Sequence, residues 1–270
     1  MPELPEVETT RRGLVPLLIG ETIASIFIRE HRLRWPVDPM LSDQIKHQTI
    51  VNLSRRAKYL LVETTRGTLL MHLGMSGSLR YLETPVLPSK HDHVDVIFSS
   101  GALLRFNDPR RFGSLHYCLN PKSHWLLKDI GPEPFGSGFT GKYLWKIARN
   151  RRVGIKQFLM NNRIVAGVGN IYANESLFKA GIHPTRPANR ISLKRLDLLV
   201  EKVRQVLKAA IDKGGTTLQD FVKSDGQPGY FQLSLSVYGK EGRPCPNCNA
   251  PIKNRLIDQR STYYCVYCQR

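Results

Sequence analysis

The chain begins with a proline and two carboxylates close together in the segment Met1-Pro2-Glu3-Leu4-Pro5-Glu6. If the methionine is removed, as a small second residue allows, Pro2 becomes a secondary amine whose pKa of roughly 8 is well below that of lysine. A neutral secondary amine is a nucleophile for carbon centres and can form an iminium, the cation of a Schiff base. Glu3 and Glu6 offer carboxylates for proton transfer or for stabilising positive charge. The same residues also fit a frayed terminus followed by an ordinary helix start.

Four cysteines near the end of the chain have the spacing of a metal site. Cys245, Cys248, Cys265 and Cys268 form a C-x2-C-x16-C-x2-C array, which is within the range of a zinc ribbon. Two tight pairs of thiolates suit tetrahedral zinc, and a redox-active dithiol pair is the alternative. The start of the chain does not resemble a signal peptide, so we expect a cytoplasmic protein, in which disulfides are disfavoured. Cys118 is interpreted as a small buried hydrophobic residue.

The charge of the chain is strongly positive and unevenly distributed. Forty Lys and Arg residues against 22 Asp and Glu residues give a net charge of +18, which indicates a polyanionic partner. Residues 1–141 contain 17 basic and 14 acidic side chains, whereas residues 142–270 contain 23 and 8. The second half is therefore predicted to carry most of the phosphate-binding surface. A membrane surface is a weaker alternative, because no basic amphipathic helix with a broad aromatic face is recognisable.

The first half of the chain has the pattern of a β domain behind a leading helix. Apolar residues between Val7 and Leu18 indicate a short helix that would anchor Pro2, and Gly20 ends it. Short β-rich runs then follow at 23–28, 60–64, 67–71, 93–98, 102–106 and 114–117. Turn-forming residues separate these runs. Many short strands at close spacing predict a sandwich or a barrel.

The second half has a helical pattern after a glycine- and proline-rich break at residues 131–141, which is the predicted linker. Helices are predicted over 142–149, 151–162, 170–180 and 191–213, with a further short one at 216–222. Between the second and third of these lies Val165-Ala-Gly-Val-Gly-Asn170, in which Asn170 is a candidate helix cap. Two turns leading to a helix N-terminus suit a DNA phosphate, although an ordinary interhelical turn fits as well.

Three segments of the first half place basic or large apolar side chains where loops are expected. Lys58 lies in a basic run that enters a strand, Met75 lies in a glycine-rich loop, and Arg110 and Phe112 lie in the turn 107–113. Exposed Met, Arg and Phe side chains in a basic protein suit insertion into a base stack. Each of them also fits a loop residue packed on its own domain.

Taken together, these motifs resemble bacterial formamidopyrimidine-DNA glycosylases from one end of the chain to the other. The matching segments occur in the family's order. They are 2–8 (PELPEVE), 56–59 (RAKY), 72–75 (HLGM), 108–113 (DPRRFG), 167–172 (GVGNIY) and the cysteine array.

The resemblance implies a bifunctional DNA glycosylase and AP lyase that removes 8-oxoguanine and formamidopyrimidines after flipping the base out of the duplex. Pro2 would attack C1′ of the sugar, Glu3 would act as the acid/base carboxylate, and Glu6 would support it. Lys58 would assist β-elimination, although it could equally hold the phosphate that flanks the lesion. Arg260 would contact phosphate and take part in δ-elimination. We favour the phosphate contact, because a guanidinium is a poor proton donor.

The resemblance also implies the DNA contacts and the domain organisation. Met75, Arg110 and Phe112 would fill the void left by the flipped base, with Arg110 facing the orphaned partner. Further DNA contacts would come from His91, Arg151, Lys156 and Asn170, and residues 217–238 would close over the base. The implied division is an N-terminal β-sandwich (1–130), a linker (131–141), a helix-two-turn-helix domain (142–235) and a finger (236–270). One structural zinc ion, double-stranded damaged DNA as partner and a monomeric state complete the expectation.

Two other functions fit parts of the sequence. An endonuclease VIII-like glycosylase for oxidised pyrimidines shares the proline, the helix pair and the finger, but the Glu3-to-Val7 start and the Met75, Arg110 and Phe112 set favour the purine enzyme. A non-catalytic zinc-ribbon DNA-binding protein explains the charge and the cysteines, but it leaves Pro2 and Glu3 without a role.

Overall fold

The structure is a computed structural model that describes residues 2–214 and 235–270. The chain divides into two compact units. Of the described residues, 2–128 and 213–214 belong to the first unit, and 129–212 and 235–270 belong to the second. Within these ranges, no helix combines the length and the apolar character needed to cross a membrane.

The first unit opens with helix α1 (Leu4–Leu18), which begins three residues earlier than predicted. Pro5 is compatible with this start, because the first turn of a helix leaves its backbone N–H groups without intrahelical acceptors. Leu4, Leu14 and Leu18 are fully buried. They fix the helix, and with it the start of the chain, to the core of the unit.

Eight strands form two four-stranded antiparallel sheets, as the sequence predicts for a sandwich. In chain order they are β1 (Ile23–Ile28), β2 (Ile50–Arg56), β3 (Tyr59–Thr64), β4 (Thr68–His72), β5 (Ser78–Leu82), β6 (Asp92–Phe98), β7 (Leu103–Asn107) and β8 (Ser114–Cys118). One sheet has the order β1-β6-β7-β5 and the other β2-β3-β4-β8. Apolar side chains from both sheets and from α1 form one core cluster.

Two strands and one short helix of this unit are absent from the prediction. Strand β2 ends in Asn, Ser and Arg residues, and β5 has Arg80 at its centre, so neither has the apolar run that marks the other strands. Only a minority of their side chains is fully buried, because both are edge strands of their sheets. Helix α2 (Leu41–Ile45) is five residues long, too short to show a helical period.

The second unit contains helices α3 (Gly141–Ala148), α4 (Ile155–Met160), α5 (Asn170–Lys179) and α6 (Leu193–Asp212). Helix α4 is shorter than the predicted 151–162, because Gly154 is its N-cap and pairs with Pro187 in an isolated bridge. Gly169 is the N-cap of α5. The prediction that Asn170 caps this helix is therefore wrong by one residue. The predicted helix 216–222 lies outside the described residues.

Residues of the predicted linker contact helix α6 within the second unit. The Arg204 guanidinium donates hydrogen bonds to the carbonyl oxygens of Pro134, Gly136 and Phe139 at 2.8, 3.1 and 2.8 Å. Phe139 is fully buried. The domain division 1–130, 131–141, 142–235 and 236–270 stays a prediction.

The chain ends in a β hairpin made of strands β9 (Lys253–Ile257) and β10 (Arg260–Tyr264). The two residues between the strands, Asp258 and Gln259, both have positive φ angles of 48° and 58°. This is the backbone of the tight two-residue turn that matches the twist of paired strands. The turn places Arg260 at the start of the returning strand.

Candidate active site and nucleic-acid interface

Pro2, Glu3 and Glu6 lie at a buried and hydrogen-bonded helix start. The backbone N–H of Glu3 donates to Oε2 of Glu6 at 2.8 Å, and the N–H of Val7 donates to the Glu3 carbonyl at 3.1 Å. Pro2 is buried, and only 2% of Glu3 and of Glu6 is exposed. The first turn of the helix therefore buries two carboxylates within four residues of Pro2 in the chain.

Lys58 lies in the turn between β2 and β3, close to two basic groups. Arg56 pairs with Tyr59 across this turn, and Ala57 has a φ of 53°, so the two-residue turn holds Lys58 in a buried position. Burial, and then the charges of Lys58 and Arg34, lower the pKa of His72 from 6.5 to about 4. His72 is therefore neutral near pH 7, and Lys58 and Arg34 carry the positive charge of this site.

Met75, Arg110 and Phe112 are exposed on neighbouring turns. The Arg110 guanidinium lies over the Phe112 ring at 4.9 Å from its centroid. Met75 and Phe112 are each 40% exposed. The Met75 turn packs against the backbone of Phe112, since a Cβ on Gly74 would lie 2.4 Å from the Phe112 carbonyl carbon. The structure thus brings these three predicted residues together on neighbouring turns.

In the second unit, Lys156 and Asn170 both reach the terminal hairpin next to Arg260. The Lys156 ammonium donates to the Ser261 carbonyl at 3.0 Å and to the Thr262 hydroxyl at 2.7 Å, and Asn170 Nδ2 donates to the same Ser261 carbonyl at 3.1 Å. Lys156 is 1% exposed, whereas Arg260 is exposed. A pocket of about 200 Å³ at this junction is lined by Lys156, Gln157, Met160, Asn161, Ile257, Asp258 and Arg260.

The four clustered cysteines are close enough together to bind one metal ion. Their sulfur atoms all lie within 4.8 Å of one another, and the Cys245–Cys268 and Cys248–Cys265 pairs are 3.8 and 3.5 Å apart. Four sulfurs at about 2.3 Å from a central zinc ion would be separated by about 3.8 Å.

The thiols interact strongly enough to shift their pKa values in opposite directions: against the effect of burial, hydrogen bonds from the Cys268 and Tyr267 backbone lower the pKa of Cys265 to about 7. The hydrogen bond with Cys248, then burial and the other two thiols, raise the pKa of Cys268 to about 12. Four thiolates this close repel one another, and a divalent ion offsets that repulsion. The residues therefore fit a metal ion and use all four positions of a tetrahedral site.

The structure also shows residues that sequence reasoning missed. Arg34 acts on His72 as described above, and its N–H donates to the Gly113 carbonyl at 3.1 Å. The buried Glu175 carboxylate on α5 accepts the N–H groups of Ser236, Val237 and Tyr238 at 2.8 to 2.9 Å. A glutamate in a helix has no distinctive spacing, so no feature of the sequence predicts this role.

The two remaining predicted DNA contacts, Arg151 and His91, belong to different units of the chain. Arg151 follows α3 and is exposed. Burial raises the pKa of Tyr143, and the positive charge of Arg151 offsets part of that rise. The Tyr143 hydroxyl donates to the Ile164 carbonyl at 3.0 Å, in the segment between α4 and α5. His91 is half-buried in the first unit, directly before β6. Most of the predicted closing segment 217–238 lies outside the described residues.

Two family profiles match most of the chain. Residues 1–115 match the formamidopyrimidine-DNA glycosylase N-terminal domain, and residues 130–222 match the formamidopyrimidine-DNA glycosylase H2TH domain. The formamidopyrimidine-DNA glycosylase of Alkalilimnicola ehrlichii is 56% identical over 277 residues, and that of Nitrosococcus oceani is 54% identical over 270 residues. Both alignments cover 100% of this chain and 100% of the relative.

Solved structures of similar proteins have the same fold. The MutM (Fpg) protein of Thermus thermophilus is 37% identical with a TM-score of 0.89, and the alignment covers 99% of this chain and 98% of the other. Lactococcus lactis Fpg in complex with abasic-site DNA is 34% identical with a TM-score of 0.91, covering 99% of each chain. The Lactococcus protein has also been solved with DNA containing an oxidised pyrimidine and with DNA containing N7-benzyl-Fapy-dG. By the profiles, the full-length identities and the shared fold, the chain belongs to the formamidopyrimidine-DNA glycosylase family.

Proposed function

We propose that this protein is a DNA glycosylase and AP lyase that excises oxidised purines through a Schiff base on Pro2. The observation that carries the proposal is the buried start of α1, where Pro2 precedes Glu3 and Glu6 within a hydrogen-bonded helix N-terminus. A frayed terminus would leave these residues exposed and without fixed geometry. Buried carboxylates beside a terminal amine are costly to desolvate, and a chemical role explains their placement.

In the proposed reaction, the neutral Pro2 nitrogen attacks C1′ and the bond from C1′ to the damaged base breaks. Glu3 protonates the sugar ring oxygen as the ring opens, which leaves an iminium between Pro2 and C1′. The iminium draws electrons from C2′ and acidifies its protons. Loss of a C2′ proton expels the 3′ phosphate by β-elimination, and a second elimination expels the 5′ phosphate. In this proposal the Lys58 ammonium assists the first elimination or holds a flanking phosphate.

Both units contribute positive charge to binding duplex DNA in this proposal. In the first unit, Met75 and Phe112 act as the apolar wedge and Arg110 contacts the orphaned base, while His91 contacts the backbone. In the second unit, Arg151, Lys156, Asn170 and Arg260 supply phosphate contacts. The complex of Lactococcus lactis Fpg with abasic-site DNA supports a DNA partner, and so does the net charge of +18.

The metal is proposed to be one structural zinc ion bound by Cys245, Cys248, Cys265 and Cys268. A tetrahedral site with four protein ligands leaves no position for a reactive water, so the ion stabilises the fold of the hairpin that presents Arg260. The chain's own thiolates hold the ion, and no step of the sugar chemistry requires it.

Oxidised pyrimidines are a second substrate class, favoured by the complex of the Lactococcus protein with such a lesion. The two substrate classes are compared in single-turnover assays on duplexes carrying 8-oxoguanine opposite cytosine or thymine glycol opposite adenine. Faster excision of 8-oxoguanine is expected. A preference for thymine glycol would replace the proposed substrate class and leave the Pro2 mechanism in place.

Borohydride trapping tests the chemistry itself. The reductant converts the Pro2 iminium to a stable amine, so the enzyme becomes covalently bound to lesion-containing DNA. The matched control is a preparation that retains Met1, verified by mass analysis of the N-terminus, because its Pro2 nitrogen is acylated and cannot form an iminium. Equal trapping by the trimmed and untrimmed proteins would contradict the proposal.

A further inference from the structure

One buried carboxylate lies among three surface turns of the first unit that carry proposed DNA contacts. The turns are residues 73–77 with Met75, the segment ending at His91, and residues 108–113 with Arg110 and Phe112. Asp108 has 0% of its surface exposed. Asp108 has no part in the proposed sugar chemistry. Burial of a carboxylate is costly unless hydrogen bonds compensate for the lost solvation.

The Asp108 side chain connects the first and third turns. Its Oδ1 accepts a hydrogen bond from the Ser76 hydroxyl at 2.7 Å, and its Oδ2 accepts one from the Gly113 N–H at 2.7 Å. The Ser76 oxygen in turn accepts the Arg110 N–H at 3.2 Å. The residue after Met75 is thus bonded to the turn that carries Arg110, and the same carboxylate closes that turn behind Phe112.

The Asp108 backbone connects the segment that ends at His91 to the turn 108–113. Its N–H donates to the His91 carbonyl at 3.0 Å, and its own carbonyl accepts a hydrogen bond from Nε2 of the buried His93 at 2.8 Å. Its side-chain and backbone groups therefore contact all three turns.

Close packing prevents the turns from moving independently. Gly74 has a φ of +65°, and a Cβ there would lie 2.4 Å from the Gly113 nitrogen. A Cβ on Gly113 would lie 2.6 Å from the His72 carbonyl oxygen. Since the backbones touch, a displacement of one turn requires a displacement of the next.

We infer that Asp108, together with Ser76, is a positioning residue that holds Met75, His91, Arg110 and Phe112 as one rigid unit for base extrusion. This inference rests on the proposed glycosylase function. A carboxylate suits the position because both of its oxygens face donors, the Ser76 hydroxyl and the Gly113 N–H, whereas an amide would turn its own N–H groups toward one of them. Loss of the link lets the wedge and the arginine shift separately, which slows extrusion of the base and leaves the sugar chemistry intact.

The variants Ser76→Ala and Asp108→Asn test this role, with Ser78→Ala as the matched control. Ser78 is similarly buried (4% exposed against 9% for Ser76) and lies two residues further along, at the start of β5. Three quantities are measured for each protein: excision of 8-oxoguanine from a duplex, strand cleavage at a preformed abasic site, and the fluorescence of 2-aminopurine beside the lesion. The first and third require extrusion of a base, whereas an abasic site has no base to extrude.

For Ser76→Ala and Asp108→Asn we expect excision to fall about tenfold, the size of effect typical of losing a hydrogen bond to a charged group. The fluorescence rise on binding should be smaller, and abasic-site cleavage should stay within about twofold of the wild type, the range of a change that spares the chemistry. The control should match the wild type in all three.

Equal losses of excision and abasic-site cleavage in the two variants would overturn the inference, because a merely structural role lowers both together. Unchanged excision and fluorescence in Ser76→Ala would overturn it as well, and this variant decides the question if Asp108→Asn does not fold. Failure of the wild-type protein to excise 8-oxoguanine would contradict the proposed function instead, so the two failures are distinguishable.

Discussion

The Lys156 ammonium on α4 donates a 2.7 Å hydrogen bond to the Thr262 hydroxyl on strand β10. This strand belongs to the terminal hairpin, which lies between the two cysteine pairs in the chain. Both side chains are buried, with 1% and 0% of their surfaces exposed. Tyr263 adds a second link, since its N–H donates to Asn174 Oδ1 on α5 at 2.8 Å. The hairpin that presents Arg260 is therefore held by the helices on one side and by the cysteines on the other.

If the four cysteines bind the proposed zinc ion, its removal should release the hairpin and weaken DNA binding. The hydrophobic cluster around the cysteines is small, so the ion supplies much of the local folding free energy. Prolonged chelation, or Cys248→Ser, is expected to lower the affinity for a lesion duplex at least about tenfold, because the Arg260 phosphate contact is lost with the hairpin and a hydrogen bond to a charged group contributes about 1.5–3 kcal/mol. Cys118→Ser is the control, because Cys118 lies in β8 of the first unit. Full affinity of a metal-free protein, with metal content measured by mass spectrometry, would contradict the structural role.

Glu3→Gln should slow base excision strongly while leaving the fold intact. If Glu3 protonates the ring oxygen, its loss removes a contribution of about 100-fold or more, which is typical of general acid catalysis. Single-turnover excision of 8-oxoguanine measures this change. Glu6→Gln is the matched control, since an amide oxygen can still accept the Glu3 N–H that Glu6 accepts at 2.8 Å. Equal losses in both variants would show that negative charge at the helix start matters and that Glu3 is not singled out.

Arg260→Ala should weaken binding to all DNA sequences and reduce its salt dependence. Each phosphate contact adds about 0.9 to the slope of log affinity against log salt concentration, so losing one should lower the slope by about that amount. Fluorescence anisotropy at several salt concentrations measures the slope. Lys208→Ala removes one positive charge from an exposed ion pair with Asp212 on α6 and serves as the control. A slope that does not change in Arg260→Ala would count against the phosphate contact.

Stability should fall as the pH is lowered from 7 to 5, in part through His116. Burial, then the charge of His124, lowers the pKa of His116 from an ordinary 6.5 to about 4. Between these values the unfolded chain binds a proton that the folded protein does not, so unfolding becomes more favourable as pH decreases. His116→Phe should reduce this loss by about 1 kcal/mol, allowing for partial solvent screening.

Denaturant unfolding at pH 7 and pH 5 measures the effect of His116. Phenylalanine can keep the ring contact with Trp125, which lies 6.0 Å away between centroids in the native protein. The exposed His47 is replaced by asparagine as a control, since asparagine tolerates its φ of 63°. If His116→Phe loses as much stability at pH 5 as the wild type, burial of this histidine does not contribute to the pH dependence.

The sequence by itself determined the class of fold and the four cysteines that cluster in space. The spacing of Cys245, Cys248, Cys265 and Cys268 predicted the cluster, because two tight turns of paired thiols leave few other uses. The short apolar runs predicted a sandwich or a barrel, and the structure shows two four-stranded sheets around one core. The sequence did not predict strands β2 and β5, because these edge strands carry polar side chains and lack an apolar run.

Only the tertiary structure decided which loops act together and which polar residues are buried among them. Asp108 and Ser76 are 32 positions apart, and neither has a spacing that predicts their hydrogen bond. Likewise, the sequence left open whether the chain start is frayed, and burial of Pro2 and Glu3 required the packing of α1 against the sheets. Periodicity reports local structure and burial on average, whereas contacts between distant turns arise from the three-dimensional arrangement of the strands that carry them.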